Sequence, residues 1–380
     1  METLQILSEQ IPQLQGDFAI IQQLYEKKLW HQLTEKLDEL MTNPVFRIGD
    51  ILQTFYTGFL MKIETKLNPL KVVSFVIEVS RTIPDLEEKI KLLQNLLRKV
   101  EKSISSAILL KLEISRILLK QNDLIKVNEI LQDTKTLIEG SGGISLIESN
   151  VLASYYQVSY SYFKFKEDYD KFYHQAMLYL TFEKLENVPV FNQQDLAFNL
   201  GLAALISETI FNFGELIAHP ILESLKNSNY NWMYELLHAY NNGDMKKYEE
   251  IISIHNDEME NEILLKKHHE LLKQKITASA LVEFIFRQPT ESRVLSFESI
   301  AQFLQTQVDS VELLIMKCMS LNLIKGTIDQ VDQVLKVTWV IPRVLSQNQI
   351  QVLKDRLQSW NSRVHEKLLL LESETQELFN

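Results

Sequence analysis

The chain has 380 residues and a formal charge of −11 with histidine neutral, enough for two or three domains at roughly 150 residues each. Ten glycines and eight prolines are less than half the usual share of roughly 12%, too few turn-formers for a β-sandwich or barrel, and a hydrophobic content of 46% is too high for a disordered chain. The acidic balance argues against a nucleic-acid binder working by phosphate neutralisation, and a single cysteine excludes an intrachain disulfide framework and a thiolate metal cage.

The opening, METLQILSEQIPQLQGDF, has neither the basic region nor the apolar core of a signal peptide. Trp30, Leu33 and Leu37 then suggest a helix face, with His31 expected as a partly buried packing residue. Apolar stretches such as VVSFVIEV (72–79) and LAALI (202–206) fall far short of the roughly 20 residues of a membrane span, so cytoplasm and nucleus are the expected setting. Residues 104–120 are apolar on nearly every face, as in a helix sandwiched between neighbours, and Asn122-Asp123 separates them from a second helix reaching about Glu139. The same form recurs at 148–181, broken near Glu167-Asp168, and at 230–254, broken at Asn242-Gly243-Asp244. In each break an aspartate is placed to accept from the orphan amides of the next helix. Apolar positions follow at helical spacing: Leu124, Val127, Ile130 and Leu131; Tyr169, Phe172, Ala176 and Met177; Met245, Tyr248, Ile251 and Ile252. Helix pairs that each bury a face on the next describe an α-solenoid of TPR-like pairs with an irregular period. Gly140-Ser141-Gly142-Gly143 reads as a loop between pairs; no Gly-Lys-Ser/Thr follows it, as a phosphate loop requires.

The pattern changes after about residue 290. Pro289 is expected to end a helix and Val294–Phe297 to form a short strand. Helices 298–304 and 308–321 follow, then β-rich segments Leu323–Ile328 and Val334–Val340 around the turn Asp329–Gln333. That order is a winged helix. The last segment is one long helix, with Ser346 and Gln349 fitting a capping box and Leu345 and Ile350 a hydrophobic staple. Ile350, Leu353, Leu357, Trp360, Val364, Leu368, Leu371 and Leu378 form a heptad seam with one stutter, over roughly 50 Å at 1.5 Å per residue. Little chain remains to cover it, so the seam predicts a partner helix. The fold class is therefore dominated by α-helix: an α-solenoid, a small α+β winged helix and a long C-terminal helix.

Catalytic and metal constellations are missing. His268-His269-Glu270 and His365-Glu366 lack the second histidine of HExxH, and adjacent histidines point to different sides of a helix. Cys318 lies beside Met316 and Met319 with no visible base, as a small buried hydrophobe does. No nucleophile elbow, Walker motif or dinucleotide fingerprint occurs. No enzyme activity, cofactor or metal is expected. Residues 293–345 carry five basic residues (Arg293, Lys317, Lys325, Lys336, Arg343) and five acidic ones (Glu298, Asp309, Glu312, Asp329, Asp332). Such a neutral module is expected to bind protein rather than DNA. Its candidate partner-binding residues are Leu323, Ile324, Lys325, Gly326, Val337 and Trp339, with Gly326 easing a tight backbone position.

A solenoid running into a neutral winged helix and a seam helix resembles the PCI domain architecture. YEKKLWHQLT (25–34), FNFGELIAHPILESLKNS (211–228), LLIMKCMSLNLIKGTIDQVDQ (313–333), VTWVIPRVL (337–345) and KDRLQSW (354–360) resemble the PCI subunits of the 26S proteasome lid more than those of the COP9 signalosome or translation initiation factor three. The resemblance implies an arm over 1–170, a PCI domain over 171–345 (helical repeats 171–292, winged helix 293–345) and a bundle helix over 346–380. It also implies a non-catalytic scaffold in a hetero-oligomer with other PCI subunits and the metalloprotease subunit pair, the arm lying near the ubiquitin receptor subunit. Neither nucleic acid nor membrane is an implied partner.

Overall fold

The computed structural model describes residues 14–374 apart from 44–45, 47–50, 101–102, 141–146, 227, 289–293, 343 and 345–346. The chain divides into two compact units, up to Asn187 and from Val188. The first is built from α1 (Gln15–Glu26), α2 (Trp30–Thr42), α3 (Ile51–Gly58), α4 (Pro69–Thr82), α5 (Leu86–Lys99), α6 (Ile104–Lys120), α7 (Leu124–Gly140), α8 (Ser149–Phe165) and α9 (Tyr169–Phe182), with short 3-10 turns after α3 and α9. Phe18, Phe46, Phe55, Phe59 and Phe75 make one aromatic cluster, neighbouring rings lying 5.4–6.3 Å apart. α6 packs against α4, α5, α7 and α8, which is why its sequence is apolar all round.

The helix-pair breaks share one chemistry. Asn122, Glu167 and Gly243 each take a left-handed backbone (φ of 62°, 59° and 63°). The following residue's N–H reaches the carbonyl five back in each case: Asp123 to Leu118 at 3.1 Å, Asp168 to Phe163 at 3.1 Å and Asp244 to Ala239 at 3.0 Å. This is a Schellman closure. The same aspartates then cap the next helix, accepting from Lys126, Lys171 and Lys247 N–H at 3.3–3.4 Å. Lys28, before Leu29, repeats the closure between α1 and α2 without an aspartate. The expected packing residue His31 is instead exposed on α2, because Leu33, Leu37 and Leu40 define the buried face. Trp30 is half-buried, its ring 5.1 Å below Lys66 Nζ.

The second unit contains α10 (Val190–Ile206), α11 (Gly214–Ala218), a 3-10 turn (Pro220–Leu225), α12 (Asn231–Asn242), α13 (Met245–Ile254), α14 (Asn256–Asn261), α15 (Ile263–Lys267), α16 (His269–Arg287), β1 (Val294–Ser296), α17 (Phe297–Leu304), α18 (Val308–Ser320), β2 (Ile324–Asp329), β3 (Val334–Val340) and α19 (Gln347–Glu374). The antiparallel sheet has the order β1-β3-β2. Phe297, expected at the end of a strand, opens α17, because Ser296 Oγ accepts from Ser299 N–H at 3.3 Å and caps the helix there. The expected helix end at Pro289 and the capping box and staple at 345–349 involve residues outside the described set, as does the loop reading beyond Gly140, itself the last residue of α7.

The winged helix does not have a core of its own. Leu281, Val282 and Ile285 of α16 share one apolar cluster with Leu295, Phe297, Ile300, Leu304, Val311, Ile315, Cys318, Leu335 and Val337. The chain is an α-solenoid followed by a winged helix and a long terminal helix, and α16 is the element common to repeats and wing. Further back on α16, Lys275 is 2% exposed. Its Nζ donates to the carbonyls of Ala204 and Ser207 at 2.6 Å each, and its charge sits 5.2 and 5.3 Å from the rings of Phe211 and Phe213. A cation placed on the last carbonyls of α10 satisfies orphan acceptors and the negative helix end together.

Candidate functional site

Among the described residues, α19 carries the longest run of apolar side chains left in solvent. Ile350, Leu353, Leu357, Trp360, Val364, Leu368 and Leu371 are 43–62% exposed, and Leu378 lies outside the described residues. All the described side chains of this helix are exposed, so no part of the second unit covers the seam. Leu369 and Leu370, each 50% exposed, widen the apolar surface toward the C-terminal end. Contiguous patches of this size mark interaction sites rather than ordinary surface. Ahead of the helix, Val344 lies on Gly214 at the start of α11, and a Cβ added at Gly214 would come within 2.7 Å of Val344 Cβ.

The six winged-helix candidates separate by burial. Leu323, Ile324 and Val337 are 2%, 1% and 7% exposed and belong to the core that the module shares with α16, so they are not a partner-facing surface in this fold. The reason is the pleat: on half-buried strands one face must supply the core, and these residues supply it. Lys325 and Trp339 pair across β2 and β3 and face out, the ammonium 5.0 Å from the Trp339 ring, with Trp339 39% exposed. Gly326 follows at a register shift between the two strands, where a Cβ would lie 2.2 Å from the Lys336 carbonyl oxygen. Only glycine fits that bulge.

The helix that would read a DNA groove, α18, is ill-equipped for it. Asp309 and Glu312 are not buried, Glu312 accepts from Gln330 of the wing turn at 3.1 Å, and its one lysine, Lys317, donates to Gln274 of α16. Cys318 is fully buried, and that burial pushes its thiol up to about 12, away from the thiolate needed for nucleophilic work. A cavity of about 200 Å³ beside it is lined by Ser207, Phe211, Lys275 and Cys318, below the usual range of ligand pockets (roughly 300–1,000 Å³), and Lys275 is already bound to backbone carbonyls. Among the described residues no three histidine, cysteine or carboxylate side chains gather as a metal site, and no helix is long and apolar enough to cross a membrane.

Two features of this surface were not read from the sequence. The Gly214–Val344 contact joins residues 130 apart, and its one local sign is a glycine opening a short helix within FNFGELIAHP. The Lys275 clamp has a clearer sign, a lysine on the face defined by Leu272, Ile276 and Ser279, where every neighbour is buried.

Comparison with known proteins agrees with this architecture. Residues 17–237 match the family of PSD13 N-terminal repeats, and residues 245–339 match the PCI domain. The 26S proteasome non-ATPase regulatory subunit 13 homolog B of Arabidopsis thaliana is 37% identical over 100% of this chain and 99% of its own length. The 26S proteasome non-ATPase regulatory subunit 13 of Dictyostelium discoideum is 36% identical over 100% of this chain and 98% of its own. By contrast, COP9 signalosome complex subunit 2 of Drosophila melanogaster is 28% identical over only 36% of this chain and 30% of its own length.

Proposed function

Since the chain belongs to the family of 26S proteasome non-ATPase regulatory subunit 13, with a PCI domain, we propose that it is a non-catalytic scaffold of the proteasome lid. Its task in this reading is lid assembly, and through it ubiquitin-dependent protein degradation in cytoplasm and nucleus. The observation that carries the proposal is the uncovered seam of α19. An apolar stripe of about six turns' reach at 3.6 residues per turn has no use in a free chain, whereas it serves a hetero-oligomer in which terminal helices of several PCI subunits and the metalloprotease pair are gathered together. Lys325 and Trp339 on the outer face of the wing are the second proposed contact, toward a neighbouring PCI subunit. Residues 1–170 are proposed as the arm and 171–345 as the PCI domain, the arm lying near the ubiquitin receptor subunit.

The test is to tag the chain in its own cells, purify gently in the presence of nucleotide and identify what accompanies it by mass spectrometry. Lid subunits in near-equal amounts are the expected result. Recovery of signalosome or initiation-factor subunits instead would overturn the lid assignment. A chain ending at residue 345 is expected to fold with an unchanged melting midpoint, because no described side chain of α19 enters the core, and to be absent from purified lid. Normal incorporation of that shortened chain would remove the role given to the helix.

A further inference from the structure

Between Ile350 and Leu371 the charged residues on the borders of the seam are all basic. At 3.6 residues per turn, Arg356, Arg363 and Lys367 recur along one border at steps of seven and four, and Lys354 lies on the other. Asp355 and Glu366, the acidic residues between Ile350 and Leu371, fall on the opposite face of the helix. All six side chains are exposed, and none of the four cations has an ion pair among the described residues. Some helical cations elsewhere are matched locally, as in Arg81–Glu78, Arg116–Glu113, Lys171–Asp168 and Arg287–Glu283, and others, such as Lys91 and Lys246, are not. What sets these four apart is their place: in a chain of net charge −11 they flank an exposed apolar stripe, where complementary charge can be received.

We infer that the helix covering this seam belongs to a different chain and presents Asp or Glu along its own borders, opposite Arg356, Arg363 and Lys367. The inference rests on the docking role proposed for α19 and names the chemistry of the partner. Charges beside an apolar seam set partner choice in helix pairing, because like charges brought together there oppose association. A second copy of this chain would bring the same four cations to the contact, so it is the wrong occupant. An anionic lipid surface is served by a broad apolar face, whereas here the seam keeps the narrow 3.5-residue period of helix-on-helix packing.

The experiment uses the tagged full-length chain in three forms: natural, R356E/R363E/K367E and R356Q/R363Q/K367Q. All three side chains are exposed, so helix content and melting midpoint serve as controls and are expected not to change. Recovery of lid subunits is expected to fall about tenfold for the reversed chain and about two- to threefold for the neutral one, the order of magnitude of a few exposed ion pairs lost or inverted. In parallel, two labelled synthetic heptad peptides with Ile and Leu seams, one with Glu borders and one with Lys borders, are titrated with each chain. The Glu peptide is expected to bind the natural chain about tenfold tighter at low salt, the preference reversing with R356E/R363E/K367E and shrinking in 0.5 M salt, where the screening length is only a few ångströms. Equal recovery of natural and reversed chains overturns the inference, as does a failure of the natural chain to prefer the Glu peptide. Self-association through α19 that the reversal abolishes, or flotation of the natural chain with phosphatidylserine vesicles in place of peptide binding, overturns it as well. Loss of assembly on truncation at residue 345 alongside normal assembly of the reversed chain would leave the docking role standing and remove the acidic partner. Normal assembly of the truncated chain would remove both.

Discussion

Lys275 is the residue on which the second unit's helices are pinned. Its ammonium is removed from water, yet it is compensated by two close carbonyls at the end of α10 and by the faces of Phe211 and Phe213. Replacing it with methionine keeps the volume but leaves those carbonyls buried without a donor. We expect Lys275→Met to destabilise the fold by about 3–5 kcal/mol in urea unfolding, the range for breaking a buried charged contact; a loss below about 1 kcal/mol would show that water replaces the ammonium. His219 offers a gentler test. Its Nδ1 accepts from Ile221 N–H at 3.2 Å at the start of the Pro220–Leu225 turn, and partial burial holds its pKa below the ordinary 6.5. The neutral ring is thus the form the fold prefers, and the unfolded chain takes up the proton first. This contribution to stability is complete above about pH 6.5 and is lost as pH falls through the lower folded value. His219→Asn keeps an acceptor that does not titrate, so its urea midpoint should decline less than the natural chain's between pH 7 and 5.5. Parallel declines would mean that other groups govern the slope.

At the scale of elements, the turns were the most legible part of the sequence. Asn122-Asp123, Glu167-Asp168 and Gly243-Asp244 announce a break followed by an aspartate cap, and the structure adds a left-handed residue before each aspartate and closes each turn with the same pair of hydrogen bonds. The succession of strands and helices along the wing was legible too, because its segments are short and separated by polar turns. Burial within the wing was not: Leu323, Ile324 and Val337 look like available strand residues, and only the pairing register turns them inward. Nor was the common core with α16, since a helix that serves two neighbours reads like any other amphipathic helix. α19 gives the opposite case, where period and exposure are both plain. Trp360 is 62% exposed in the free chain, so Trp360→Ala should leave the melting midpoint within about a degree or two. If Trp360 anchors a partner, the same change should weaken incorporation into purified assemblies by 2 kcal/mol or more, about thirtyfold. A lowered melting midpoint with intact assembly would place Trp360 in the fold instead.

For the molecule as a whole, the two compact units and the terminal helix are held together by different kinds of residue. The repeats rely on Schellman turns and aspartate caps, the PCI region on α16 and the Lys275 clamp, and Val344, ahead of α19, on its contact with Gly214. Family membership followed from strings spread over the whole length of the chain rather than from one reactive motif, as expected where the proposed function is distributed over surfaces. The uncovered seam also has a consequence for supply. If the seam docks as proposed, a copy made in excess of its partners would remain marked as an orphan by the stripe from Ile350 to Leu371, open to chaperones and degradation until a neighbour arrives. Burial in the proposed assembly would erase that mark, so the same leucines would keep the cell's stock of this chain in step with the rest of it.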